Sequence, residues 1–67
     1  MGFMPNTNTT PRSLTMRSED GALIRCTFAE IDGVPYFRAF VDGDLVETSE
    51  GGQARRDWRQ ARVLKRF

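Results

Sequence analysis

The stretch Asp20–Thr48, DGALIRCTFAEIDGVPYFRAFVDGDLVET, decides the fold. Asp-Gly occurs in it three times, at 20–21, 32–33 and 42–43. Between and after these pairs run segments rich in β-branched and aromatic residues: Ala22–Ile31, Val34–Val41 and Leu45–Thr48. Asp-Gly between apolar-rich segments is a hairpin signal, because a tight type I′ turn needs positive φ at its two central residues. Three such turns predict an antiparallel meander whose first strand precedes Asp20. Pro35 lacks an N–H, which predicts incomplete pairing at its end of the third strand.

The side-chain pattern fixes the register, since a slip of one residue exchanges the two faces of a strand. A two-residue turn at Asp32-Gly33 sets Ile31 opposite Val34, Phe28 opposite Phe37, Cys26 opposite Ala39 and Ile24 opposite Val41. A two-residue turn at Asp42-Gly43 pairs Ala39 with Val46 on the same face and Arg38 with Glu47 on the other. For the first hairpin a two-residue turn would bring Arg17 opposite Ile24 on the apolar face. A three-residue loop Glu19-Asp20-Gly21, with Gly21 left-handed, instead aligns Met16 with Ile24 and Leu14 with Cys26. The expected core face is Leu14, Met16, Ile24, Cys26, Phe28, Phe37, Ala39, Val41 and Val46.

A sheet with one apolar face needs a cover. Ser49 or a neighbour is the expected cap of a helix from about Gly52 to near the chain end, with Gly51-Gly52 at its start. At about 100° per residue, Ala54, Trp58 and Ala61 form one stripe with Leu64 beside it, and Trp58 is the expected core anchor. Val63 and Phe67 lie elsewhere on the wheel, so the last turn is expected to fray or extend. Residues 1–11, with two Pro, two Asn and three Thr, read as an extended N-terminal arm. The reading is one small α+β domain over residues 12–67: an antiparallel β-meander of three to four strands packed on one C-terminal α-helix.

Composition closes off most chemistry. In 67 residues there is room for one small domain and none for an enclosed cleft. No histidine is present, which excludes Ser-His-Asp and Cys-His catalysis and imidazole metal ligation. A lone Cys26 forms no internal disulfide and reads as a small buried apolar group. The sole lysine, Lys65, follows leucine, so the chain has no phosphate-binding GK[ST] loop. The carboxylate pairs Glu19-Asp20 and Asp42-Gly43-Asp44 lie in turn sequence, where water keeps them ionised, and the second lacks the remaining ligands of a calcium loop. The expectation is a non-enzyme with no cofactor and no metal.

No apolar run approaches membrane-spanning length, and MGFMPNTNTT has neither the basic nor the apolar region of a secretory signal. Position 6 is Asn where N-myristoylation after Gly2 wants Ser or Thr, and the sequon Asn8-Thr9-Thr10 reads as chance. A cytoplasmic location without membrane attachment is expected.

Two surfaces remain. On the helix, Arg55, Arg59, Arg62 and Arg66 follow i, i+4, i+7, i+11 and form one stripe. Residues 53–67 carry a net charge of +5 and residues 1–52 a net of −4, so the overall +1 is a cancellation. Guanidinium groups match phosphates in charge and fork geometry, which makes the stripe a candidate nucleic-acid contact. The outward sheet face is expected to carry Arg17, Arg25, Thr27, Tyr36, Arg38, Phe40, Leu45 and Glu47. Tyr36, Phe40 and Leu45 form an apolar centre that a solvated face would lack, and Arg25 and Arg38 flank it. Either the arm covers this patch or another molecule does, a second copy in a homodimer included.

The order of a meander followed by one helix resembles the phage-integrase arm-binding domains, which implies a sheet face presented to DNA. The small size without catalytic residues is similar in genre to phage-encoded inhibitors such as anti-CRISPR proteins, which implies steric blocking of a host complex. The reading that joins these features is a protein-binding module acting by surface docking through Arg25, Tyr36, Arg38, Phe40 and Leu45. The alternative is nucleic-acid binding through Arg55, Arg59, Arg62 and Arg66, through the outer sheet face, or both.

Overall fold

The computed structural model describes residues 11–65. Its elements follow the order β1 (Arg12–Arg17), β2 (Leu23–Ile31), β3 (Val34–Val41), β4 (Asp44–Glu50) and α1 (Gly52–Lys65). The strands form one antiparallel sheet in the order β1-β2-β3-β4, a meander with α1 laid over one face. Of the arm expected over residues 1–11, all but Pro11 lies outside the described residues.

The three Asp-Gly pairs turn the chain as their chemistry demands. Asp32 and Gly33 take φ of 53° and 80°, and Asp42 and Gly43 take 50° and 89°, so both two-residue turns are left-handed at both positions. In the first hairpin the Ser18 N–H donates to the Ala22 carbonyl at 3.0 Å, closing a three-residue loop in which Gly21 has φ of 90°. The Asp20 carboxylate accepts from the Ser18 hydroxyl and from the Ala22 N–H, and these bonds hold its pKa below the ordinary carboxylate value. The small stabilisation this lends the loop is present above that ordinary value and is lost as pH falls through the lowered one. Asp42 has a second task, since its carboxylate accepts the Leu23 N–H at 3.0 Å and its own N–H donates to the Leu23 carbonyl at 2.8 Å. The third turn thus also fixes the start of β2.

Substituting Gly33 with alanine isolates the conformational part of this argument. A Cβ there meets nothing within 4 Å, so the φ of 80° is the sole penalty. The expected loss is about 1–2 kcal/mol, read as a lower urea midpoint with an unchanged m-value.

The register follows from these turns. Leu14 faces Cys26 and Met16 faces Ile24 across β1 and β2. Ile24 faces Val41, Cys26 faces Ala39 and Phe28 faces Phe37 across β2 and β3. Strand β4 departs from the expected pattern. Val41 pairs with Asp44 and Phe40 with Leu45, but a bulge then moves the ladder so that Ala39 faces Glu47 and Arg38 faces Thr48. Val46, expected in the core opposite Ala39, is the extra residue and is 60% exposed. The same shift carries Glu47 off the outer face and away from Arg38. Its physical cause lies at the strand's far end. Past the bulge Ser49 falls on the helix side, where its hydroxyl donates to Asp57 Oδ2 at 2.7 Å, and the Gly51 N–H reaches the Pro35 carbonyl at 2.9 Å. Pro35 pairs in register with Glu30, and its missing donor points toward the side where β4 has ended at Glu50.

Helix α1 starts at Gly52, as expected, and the residue that caps it is Gly51, two positions past Ser49. Gly51 has φ of 69°, and its carbonyl accepts from the Arg55 N–H. Asp57, held by both Ser49 and Gln53, ties the first turns of the helix to β4. The buried stripe is Ala54, Trp58 and Ala61, while Leu64, expected beside it, is 55% exposed because it lies past the rim of the core. The two alanines let the helix backbone approach the sheet closely. Trp58 stacks on Phe28 with ring centroids 5.5 Å apart and planes inclined by 17°. Cys26, Phe37 and Ala39 complete the core, with Leu14, Met16, Ile24 and Phe28 around its edge.

Candidate binding surfaces

The outer face of the sheet is built by strand alternation. Residues opposite in parity to Cys26 and Phe37 point away from α1. On β2 these are Leu23, Arg25, Thr27, Ala29 and Ile31, and on β3 they are Val34, Tyr36, Arg38 and Phe40. The ladder sets Arg25 and Leu45 on either side of Phe40, Thr27 beside Arg38, and Ala29 beside Tyr36. Tyr36 and Phe40 are half-buried by these neighbours, whereas Arg25, Arg38 and Leu45 are exposed. All five residues expected to form a protein-binding surface therefore lie together on one face. No helix among the described residues covers it.

Sequence reasoning missed the extension of this patch along the strands. Ile31 and Val34, paired beside the Asp32-Gly33 turn, are exposed, and Leu23 adds a third aliphatic group at the opposite end. A shallow groove runs between Thr27, Ala29, Ile31, Tyr36 and Arg38. Strand alternation alone placed these residues outward, but their contribution became legible only once the β2–β3 ladder brought them against Tyr36.

The arginine stripe is less uniform than its spacing implied. Arg55 forms an ion pair and hydrogen bond with Glu30 across the helix–sheet junction, which removes it from a set of free cations. Arg59 and Arg62 are exposed, and Arg66 lies outside the described residues. Of the four expected nucleic-acid contacts, two stand as exposed guanidinium groups without an ion pair among the described residues.

Neither carboxylate pair singled out in the sequence sits in a cleft. Asp42 and Asp44 are exposed at the third turn, and no group of three or more metal-ligating residues occurs among the described residues. No helix of the described residues is long and apolar enough to cross a membrane.

Cys26 is 4% exposed, on the floor of a groove flanked by Met16, Ile24, Glu47 and Leu64. Burial, then the nearby Glu47 charge, push its thiol pKa up. A raised folded-state pKa means that stability is fully present below the unfolded value and falls as pH rises through the folded one. The native protein is expected to react slowly with a thiol-specific reagent at mildly alkaline pH, and rapidly once urea unfolds it. Equal rates in the two states would contradict the burial.

Compared with known proteins, the chain matches no family model, no curated protein and no solved structure.

Proposed function

We propose that this protein is a non-enzymatic binding module that docks on a partner protein through the outer face of its sheet. The observation that carries this reading is the register at Phe40, where Arg25 and Leu45 flank an aromatic ring on a face that no described helix covers. An aromatic and aliphatic centre with arginines beside it has the composition of interface hot spots. Phe40, Tyr36 and Leu45 supply the apolar contact, while Arg25 and Arg38 orient the partner and favour acidic groups on its rim. The action is steric, by occupying a surface of the partner. This is the mode of a small inhibitor of a larger complex, in the genre of phage-encoded proteins.

The experiment is affinity capture from native lysate with and without nuclease, run in parallel on wild type, Phe40→Ala and an Arg59→Ala/Arg62→Ala double variant. Retention of the same partner after nuclease, lost in Phe40→Ala alone, supports docking by the sheet face. Retention abolished by nuclease and by the helix double variant supports the alternative, nucleic-acid binding through the exposed Arg59 and Arg62. A homodimer seen by sedimentation and abolished by Phe40→Ala assigns the face to a second copy.

A further inference from the structure

A recess on the opposite side of the sheet has different chemistry. It lies between edge strand β1 and the second half of α1, with walls formed by Arg12, Ser13, Leu14, Trp58, Arg62 and Lys65. Three of these residues are cationic and none is acidic. Arg12 and Arg62 are exposed and form no ion pair among the described residues. Two distant parts of the chain thus bring like charges together, an arrangement that costs repulsion and favours an anion between them.

Lys65 is held in place. Its Nζ donates to the Thr15 carbonyl at 2.6 Å. Ser18 directs its N–H at β2, so by strand alternation the backbone of Thr15 faces the free edge of β1. The contact blunts that edge and fixes the end of α1 against it, while the ammonium keeps further donors.

Trp58 supplies the second, independent observation. The residue is 8% exposed, and its Nε1 is buried with no hydrogen-bond acceptor among the described residues. An unsatisfied buried donor costs about 1–3 kcal/mol. That donor belongs to a core side chain that also lines the recess.

We propose that the recess is a phosphate site, in which an anionic phosphate seats between Arg12, Arg62 and Lys65 beside the indole of Trp58. A phosphate fits better than a carboxylate. A carboxylate offers two oxygens, whereas the several oxygens of a phosphate accept from two guanidinium forks and an ammonium together.

Trp58 is the only tryptophan, so its indole N–H gives a single resolved peak in a nitrogen–proton correlation spectrum. The titrants are inorganic pyrophosphate and a single-stranded 12-mer oligonucleotide, against sodium chloride and sodium acetate at equal ionic strength. The expected result is a saturable shift of the indole peak with a phosphate titrant and none with chloride or acetate. Arg12→Gln with Arg62→Gln should weaken binding at least tenfold, and Arg56→Gln, which removes an equal helix charge outside the recess, should not. The backbone amide dispersion in the same spectra reports that each variant is folded. Response to pyrophosphate assigns the site to free phosphates, and response to the oligonucleotide alone assigns it to backbone phosphates. A stationary indole peak overturns the proposal, as does an equal shift with acetate or equal weakening by Arg56→Gln.

Discussion

Trp58→Ala is expected to leave much of the chain unfolded without denaturant. Removing a buried tryptophan costs about 3–5 kcal/mol through lost apolar burial and the cavity left behind. A chain of this size has a total stability on the order of 3–10 kcal/mol, so one side chain accounts for a large part of the whole. The loss has little chance of being absorbed by repacking. Trp58 is flanked along its stripe by Ala54 and Ala61, which are too small to fill the gap, and its face rests on Phe28. Circular dichroism melts should show a broad transition at sharply lower temperature. Trp58→Phe provides the contrast, since it keeps a ring over Phe28 and deletes an N–H that has no acceptor among the described residues. Its loss should be much smaller than that of alanine, and comparable melts for the two variants would refute the anchoring role.

Phe40→Ala should produce the opposite pattern, a large loss of partner binding with a modest loss of stability. Phe40 lies on the face away from the helix and is half-buried only by cross-strand neighbours. Each cross-strand pair contributes roughly 0.2–1 kcal/mol, so losing those with Arg25 and Leu45 should cost about 1 kcal/mol and lower the melting temperature by roughly 4–8 °C. A hot-spot aromatic at the centre of an interface is worth about 2 kcal/mol or more, close to thirtyfold in affinity. Leu45→Ala, at an exposed position on the same patch, should weaken binding with even less effect on folding. An unfolded Phe40→Ala would place the ring in the core and remove the proposed site. Unchanged binding in both variants would reject the sheet face as the docking surface.

The two substitutions separate what the two faces of one sheet do. Side chains facing α1 gain burial from a helix that follows directly in sequence, whereas those facing outward gain it only from their strand neighbours. The apolar residues Tyr36, Phe40 and Leu45 on that outward face are therefore not required to close the core. The recess on the helix side has a separate logic, because its cations come from β1 and α1 and meet only when the meander is closed.

Much of this was legible in the sequence because it rests on local chemistry. Asp-Gly accommodates positive φ within two residues, and turn length then fixes which side chains oppose one another in the flanking strands. The pairs from Leu14 with Cys26 through Phe28 with Phe37 follow from this rule. The helix stripe at Ala54, Trp58 and Ala61 follows equally from a period of 3.6 residues. The five residues of the proposed docking patch were readable for the same reason, as alternate positions of paired strands.

Strand β4 shows where local chemistry stops. A bulge is not encoded by the turn before it, and here it reconciles the Asp42-Gly43 turn with Ser49 meeting Asp57 and Gly51 meeting Pro35. That requirement comes from the placement of the helix, and it moved Val46 out of the core and Glu47 off the outer face.

By itself, then, the sequence determined the turns, the register of the first three strands, the face of the helix that is buried and the absence of histidine-based chemistry. Tertiary structure alone decided the bulge, the pairing of Arg55 with Glu30, and the meeting of Arg12, Arg62 and Lys65 beside a tryptophan whose N–H lacks an acceptor among the described residues. The physical reason is range. Backbone φ and strand alternation act over a few residues, whereas these contacts join distant positions, and Lys65 meets Thr15 across 50 residues.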